Sequence, residues 1–266
     1  MKAGYLVVCL FVIAISSCMW GKPAKKNPDI VKDTLAYKYT VFKERAADCG
    51  NKADSDCTVV KFKYPDFKGQ KTLNDTVLSK LLNMFQLGEK PDTSLASLTK
   101  NFMTDYLGSK QNGVSSMFYS LDAYVKIIRQ DSSLTTLETG GYSFTGGAHP
   151  SSYTGFINWN TKANKEIQLN DLVTEDNFPQ LVAIAEAIFR KNENLKDTTS
   201  LATNYFFKDN KIALNDNFSI TPVGLRFFYN QYEIKPYAAG TTELIIPYTS
   251  IKHLLRPNTV ITQYIK

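Results

Sequence analysis

The chain has 266 residues, 43% of them hydrophobic, with 16 phenylalanines and 15 tyrosines, enough apolar material for a packed core. Its formal charge is +6, but Lys2, Lys22, Lys25 and Lys26 supply four of those six charges and all precede Asp29. No body-wide basic field is left to attract nucleic acid, and two histidines among four cysteines do not make up a zinc site.

Read in chain order, Lys2 is followed by an uncharged apolar run from Gly4 to Ile15. That run is shorter than the roughly 20 residues a membrane-spanning helix needs, and it has the length of a signal-peptide core. Ile15-Ser16-Ser17-Cys18 then resembles the bacterial lipobox. In that motif the cysteine thiol is acylated and cleavage leaves it as the new N-terminus. Residues 1–18 are therefore expected to be a lipoprotein signal peptide and 19–32 a tether. The protein would be exported and held to a bacterial membrane by lipid on Cys18. Met19 is not the aspartate that retains some lipoproteins at the inner membrane, so the outer membrane is the expected location, facing the periplasm or the surface. Lysines of the tether can lie near anionic head groups. Cys9 leaves with the leader. Cys49 and Cys57 remain, and in an oxidising compartment they read as a local disulfide.

Leu35–Lys43 and Thr58–Tyr64 read as strands flanking the cysteine loop. A helix capped by Asn74 or Asp75 carries Val77, Leu78, Leu81, Leu82 and Phe85 on one face and should stop at Gly88. A second runs from Ser94 to Gly108. Between Met117 and Gln130 the period becomes two, with Tyr119, Leu121, Ala123, Val125 and Ile127 facing one way. Leu134–Tyr142 is its expected neighbour, and Tyr153–Trp159 and Lys165–Leu169 form a further hairpin. Phe178 to Phe189 is the clearest amphipathic helix, with Pro179 in its first turn. Strands return at Phe218–Thr221, Leu225–Tyr229 and Thr242–Ile246, before a short helix from Tyr248. The order predicts an α+β fold, a mainly antiparallel sheet packed with a few helices. The expected division is a small α+β domain over 33–130 and a second over 131–266.

Two segments carry the candidate site. Thr139–Pro150 packs Gly140, Gly141, Gly146 and Gly147 just before His149, which suits sharp turns or close approach but does not match a dinucleotide fingerprint. No cofactor and no metal is expected. Tyr229–Gly240 is tyrosine-rich, the composition of a recognition surface. Gly146-Gly-Ala-His149, the run Phe228-Tyr-Asn-Gln-Tyr-Glu-Ile-Lys-Pro-Tyr-Ala-Ala-Gly240 and Ile246-Pro-Tyr248 resemble the PdaC/RsiV-like extracytoplasmic domain. That domain occurs in a lysozyme-sensing anti-sigma factor and beside the catalytic domain of a peptidoglycan deacetylase. Val59–Leu82, with Tyr64-Pro-Asp-Phe-Lys-Gly69, looks like the small domain that usually precedes it.

The resemblance implies a non-catalytic binding module at the cell envelope that recognises a protein such as lysozyme or a peptidoglycan-type glycan. Tyr142, Gly146, Gly147, His149, Tyr232, Glu233 and Tyr237 are the candidate binding residues. The alternative is an enzyme that modifies cell-wall glycan, using His149 with an acidic partner such as Glu233. Glu233 reads equally as a buried, paired carboxylate holding the strand connection or as a group facing a partner. His253 reads as a surface or capping residue. Neither the ligand nor the oligomeric state is legible in the sequence.

Overall fold

A computed structural model of the chain describes residues 34–85, 92–114 and 116–265. The expected leader, Cys18, the tether up to residue 32 and Gly88 lie outside these residues. Among the described residues no helix is long and apolar enough to cross a membrane.

The first sheet has six strands in sequence order: β1 (Tyr37–Arg45), β2 (Val59–Phe67), β3 (Ser120–Gln130), β4 (Leu134–Phe144), β5 (Ser151–Asn160) and β6 (Lys165–Glu166). Every pairing is antiparallel except β2–β3. A parallel pair needs a crossover, and here it is helical: α1 (Lys71–Met84) and α2 (Leu95–Gln111). Ser94 caps α2 and exchanges hydrogen bonds with Ser97, a capping box. The helices lie over the face built by Val60, Phe62, Leu121, Ala123, Val125, Leu137 and Ile157. The period-two reading of β3 is observed, with Leu121, Ala123 and Val125 almost wholly buried. Cys49 and Cys57 are disulfide-bonded and buried at the edge of this core.

A second sheet, β7 (Phe218–Ile220), β8 (Gly224–Tyr229) and β9 (Thr242–Pro247), is antiparallel throughout. Helix α3 (Phe178–Asn192) covers one face, and its Leu181, Ala185 and Phe189 share a core with Leu225, Phe227, Leu244 and Ile246. Gly224 has no side chain because a Cβ there would run into the backbone of Ile246. The short helix α4 (Tyr248–Ile251) follows β9 directly.

The division expected at residue 130 falls inside the β3–β4 hairpin. Asp131 accepts hydrogen bonds from the N–H groups of Ser133 and Leu134, both at 2.9 Å, so this polar run is a tight turn. The two hydrophobic cores part after β5, although Leu134 already belongs to the second. Asparagines stitch the sheets together. The buried side chain of Asn158 in β5 donates to Phe218 O (2.8 Å) and accepts from Ile220 N–H (2.8 Å), meeting the open edge of β7. Asn230 accepts from Thr154 N–H (2.7 Å) and donates to Thr154 O (3.0 Å), while Asn217 bridges Thr154 O and Phe228 O.

Candidate functional site

Three segments meet at one cleft of about 430 Å3: the end of α1 (Met84, Phe85), the β4–β5 connection (Ser143 to Tyr153) and the β8–β9 connection (Asn230 to Tyr237). Each is placed by a local device. Gly141 in β4 leaves room for the Phe85 ring, 2.7 Å from where its Cβ would stand. Gly146 adopts φ +80° and turns the β4–β5 connection back on itself. Tyr232 holds φ +65°, an uncommon conformation for a bulky residue, directly after the Asn230 anchor.

The centre of the cleft is a stack. The His149 and Tyr237 rings lie 4.0 Å apart and 16° from parallel, and Tyr232 closes against both, at 6.0 Å from His149 and 5.5 Å from Tyr237. The Tyr232 hydroxyl is 3.2 Å from His149 Nε2, and His149 Nδ1 is 3.4 Å from Pro150 O. One neutral tautomer satisfies both contacts: Nδ1–H turned to the carbonyl and Nε2 accepting from the phenol. His149 and Tyr232 are exposed, so the stack presents rings and polar tips to solvent.

Of the sequence-based candidates, His149, Gly147, Tyr232 and Tyr237 line this cleft and Gly146 shapes its rim. Tyr142 stands apart. It pairs with Asp122 and Ser152 within the sheet and is 41% exposed there, outside the cleft lining. Glu233 points elsewhere too: it accepts from Asn215 Nδ2 (2.5 Å) and from Asn230 N–H (2.8 Å). The side chain is exposed rather than buried and makes no ion pair among the described residues, so it holds the connection by hydrogen bonds alone and still faces solvent. Burial, with the Glu233 charge nearby, pushes the Tyr153 phenol above its ordinary range. His253 is exposed and meets Gln180, with Nε2 3.0 Å from the carboxamide nitrogen.

Sequence reading missed Met84, Phe85, Ser143, Ser152 and Tyr153 as cleft residues. Phe85 had a signal, as the last residue named on the apolar stripe of α1. Among the described residues no group of His, Cys, Asp or Glu can hold a metal ion. A wider hollow of about 600 Å3 lies between the β5–β6 turn and the C-terminal segment, with Lys162, Lys165, Asn258 and Gln263 on its walls. Its polar groups are mostly satisfied within the chain: Lys165 binds Asp171, and Gln263 donates to Val260 O.

Residues 51–152 match the family Deacetylase PdaC, and residues 170–249 match Protein of unknown function (DUF3298). Among solved structures the fold is similar to two DUF3298 family proteins. One, from Bacteroides fragilis, has a TM-score of 0.70 at 21% identity, covering 88% of this chain and 99% of that one. The other, from Pseudomonas aeruginosa PAO1, has a TM-score of 0.66 at 22% identity, covering 84% and 95%. The immunogenic proteins MPB64 of Mycobacterium bovis and MPT64 of Mycobacterium tuberculosis are each 27% identical over 114 residues, 43% of this chain. The matched region spans about half the length of those relatives. The chain thus carries a stretch that matches PdaC over 51–152, followed by a stretch that matches the DUF3298 domain of unknown function over 170–249, in the fold of DUF3298 family proteins.

Proposed function

We propose that this chain is a non-catalytic binding module of the bacterial cell envelope, exported and anchored by lipid on Cys18. Its ligand is a peptidoglycan-type glycan or a protein such as lysozyme, received in the cleft between α1, the β4–β5 connection and the β8–β9 connection. The carrying observation is the exposed stack of His149 on Tyr237 with Tyr232 closing over both. Stacked rings with polar tips offer flat apolar area together with hydrogen-bonding groups at low conformational cost, which suits a pyranose face or an aromatic-poor protein surface. Against the glycan-modifying alternative, one oxygen of Glu233 accepts from the Asn215 side chain and the other from Asn230 N–H, and no contact joins this acid to His149 among the described residues.

The test is retention of the full chain, in mild detergent, on peptidoglycan and on immobilised lysozyme. Wild type should bind one of them. Tyr237→Ala and His149→Ala should each weaken that binding by about 10- to 100-fold, the range for losing a central aromatic contact. Failure to bind either ligand, or equal retention of the Tyr237→Ala chain, overturns the reading. A changed muropeptide profile after incubation would move the protein to the enzyme class.

A further inference from the structure

Strand β1 is an edge strand of unusual openness. It runs nine residues in unbroken register with β2, from Tyr37 opposite Phe67 to Arg45 opposite Val59, with no proline and no bulge. Among the described residues no strand pairs with its outer side. Tyr37, Tyr39 and Val41 are 45%, 42% and 57% exposed, and as alternate residues they share one face. Native edges are usually blunted by a bulge, a proline, a short length or charged side chains, because a bare ladder recruits another strand, and of these β1 has only the charges of Lys38, Lys43, Glu44 and Arg45.

The direction of the free backbone groups is fixed by the bonds that flank the strand. Ala36 O accepts from Lys68 N–H (2.8 Å) and Ala46 N–H donates to Thr58 O (3.0 Å), in the same register as the β1–β2 pairs. Even-numbered residues therefore turn their N–H and C=O to β2. Odd-numbered residues, Tyr37 to Arg45, turn theirs to the open edge.

The side chains along that edge are self-complementary about Val41. Antiparallel pairing of β1 with another β1 centred there sets Lys38 opposite Glu44, Tyr39 opposite Lys43 and Tyr37 opposite Arg45, each twice. Lys38 is mostly solvent-exposed, its contact with Asp66 is a loose 3.9 Å, and among the described residues Glu44 has no ion-pair partner. Lys43 and Arg45 are already steadied by Asp54, and the pairing sets them opposite Tyr39, whose ring already carries Lys63 at 5.3 Å, and Tyr37, so these positions add apolar cover for the lysine and arginine stems. Val41 meets its own copy at a hydrogen-bonded pair, and all five odd-numbered residues of each strand find partners.

We propose that β1 is a homodimer interface, joining two six-stranded sheets across a two-fold axis through Val41. This arrangement is isologous and closed, so it stops at two copies. The occupant is a second copy because β1 carries both partners of its own ion pair, Lys38 three residues before Val41 and Glu44 three residues after it, a spacing that an unrelated peptide need not match.

The test has two arms on the full chain in mild detergent. In the first, Val41→Cys, Tyr39→Cys and Lys43→Cys chains are oxidised and scored for covalent dimer against the wild-type background. A hydrogen-bonded pair brings Cα atoms to about 5.5 Å, within disulfide reach, whereas residue 39 or 43 lies several residues from its own copy. Crosslinking should peak at 41. In the second arm, sedimentation measures the dimer constant of Lys38→Glu, Glu44→Lys and the double variant. Each single change turns both ion pairs into like-charge pairs and should weaken the dimer severalfold, and the exchange of both should restore it. A chain that stays monomeric, a flat crosslinking profile, a peak at another position, or a double variant no better than the singles overturns the proposal.

Discussion

Asn158→Leu tests how the two sheets are held together. The side chain is 2% exposed and makes two bonds of 2.8 Å, to Phe218 O and from Ile220 N–H, where both partner residues are themselves 2% exposed. Leucine is close in volume, so the substitution leaves little cavity and isolates the polar term. It strips two buried backbone groups of their partners, at about 1–3 kcal/mol each. Burying leucine instead of a carboxamide returns part of this, so the net loss should be about 2–4 kcal/mol. At about 2–4 °C per kcal/mol for a chain of this size, the midpoint should fall by about 5–15 °C. Urea unfolding followed by circular dichroism measures the loss, and a broadened or two-step transition would show the second sheet leaving first. A loss under about 1 kcal/mol would refute the reasoning, since it would mean that the β7 edge is satisfied without Asn158.

The other predictions rest on separate contacts. Burial raises the Asp131 carboxyl, but hydrogen bonds from Ser133, Leu134 and Tyr264 outweigh it and hold the pKa below its ordinary value. A depressed carboxylate stabilises the fold above its unfolded pKa of about 3.9, and that stability is lost as pH falls further through the folded value. Asp131→Asn should therefore unfold more easily at neutral pH while losing less stability between pH 5 and pH 2, read from urea midpoints across that range. Reducing the Cys49–Cys57 bond, or Cys49→Ser with Cys57→Ser, should cost about 2–3 kcal/mol for a sequence separation of 8. An unchanged urea midpoint would show that the 49–57 loop is ordered without the bond. Gly224→Ala should cost more than 2 kcal/mol, because the added methyl meets the Ile246 backbone rather than a side chain that can swing away.

The alternating and amphipathic patterns made most of the fold legible. The alternation in β3 named its buried face, and the amphipathic stretch Phe178 to Phe189 is helix α3, whose Leu181, Ala185 and Phe189 are core. Signals that serve two purposes misled. Asn74 looks like a helix cap, yet α1 begins at Lys71, and the Asn74 side chain reaches back to the N–H and C=O of Phe67, both at 2.9 Å. Gly108 looks like a stop, but α2 passes through it to Gln111, and the left-handed glycine is Gly113. The stretch between α3 and β7 carried no period at all. There Leu201, Tyr205 and Phe207 enter the second core from irregular turns, held by ring contacts with Phe189. The site was half legible for a related reason. Composition pointed to His149, Tyr232 and Tyr237, while Phe85 and Tyr153 reach the cleft through strand order and helix placement, which no local pattern encodes.

The cleft takes Phe85 and the β4–β5 connection from the PdaC stretch and Asn230 to Tyr237 from the DUF3298 stretch, so neither stretch builds it alone. What sets the two sides in register is Asn230. Its carboxamide is fully used on Thr154, accepting at 2.7 Å and donating at 3.0 Å, and its own N–H is held by Glu233 at 2.8 Å. Tyr232 follows two residues later in its left-handed conformation, and Tyr237 closes the same connection. Asn230→Ala should therefore loosen the stack without removing any of its rings. Asn217→Ala is the matched comparison: it too loses a bond to Thr154 O, at 2.8 Å, but lies outside the connection that carries the tyrosines. If Asn230 positions the stack, its loss should weaken ligand retention by about 10-fold, while Asn217→Ala, at similar stability, should bind almost as wild type. Equal effects of the two on binding would mean that the junction supports the cleft only through overall stability.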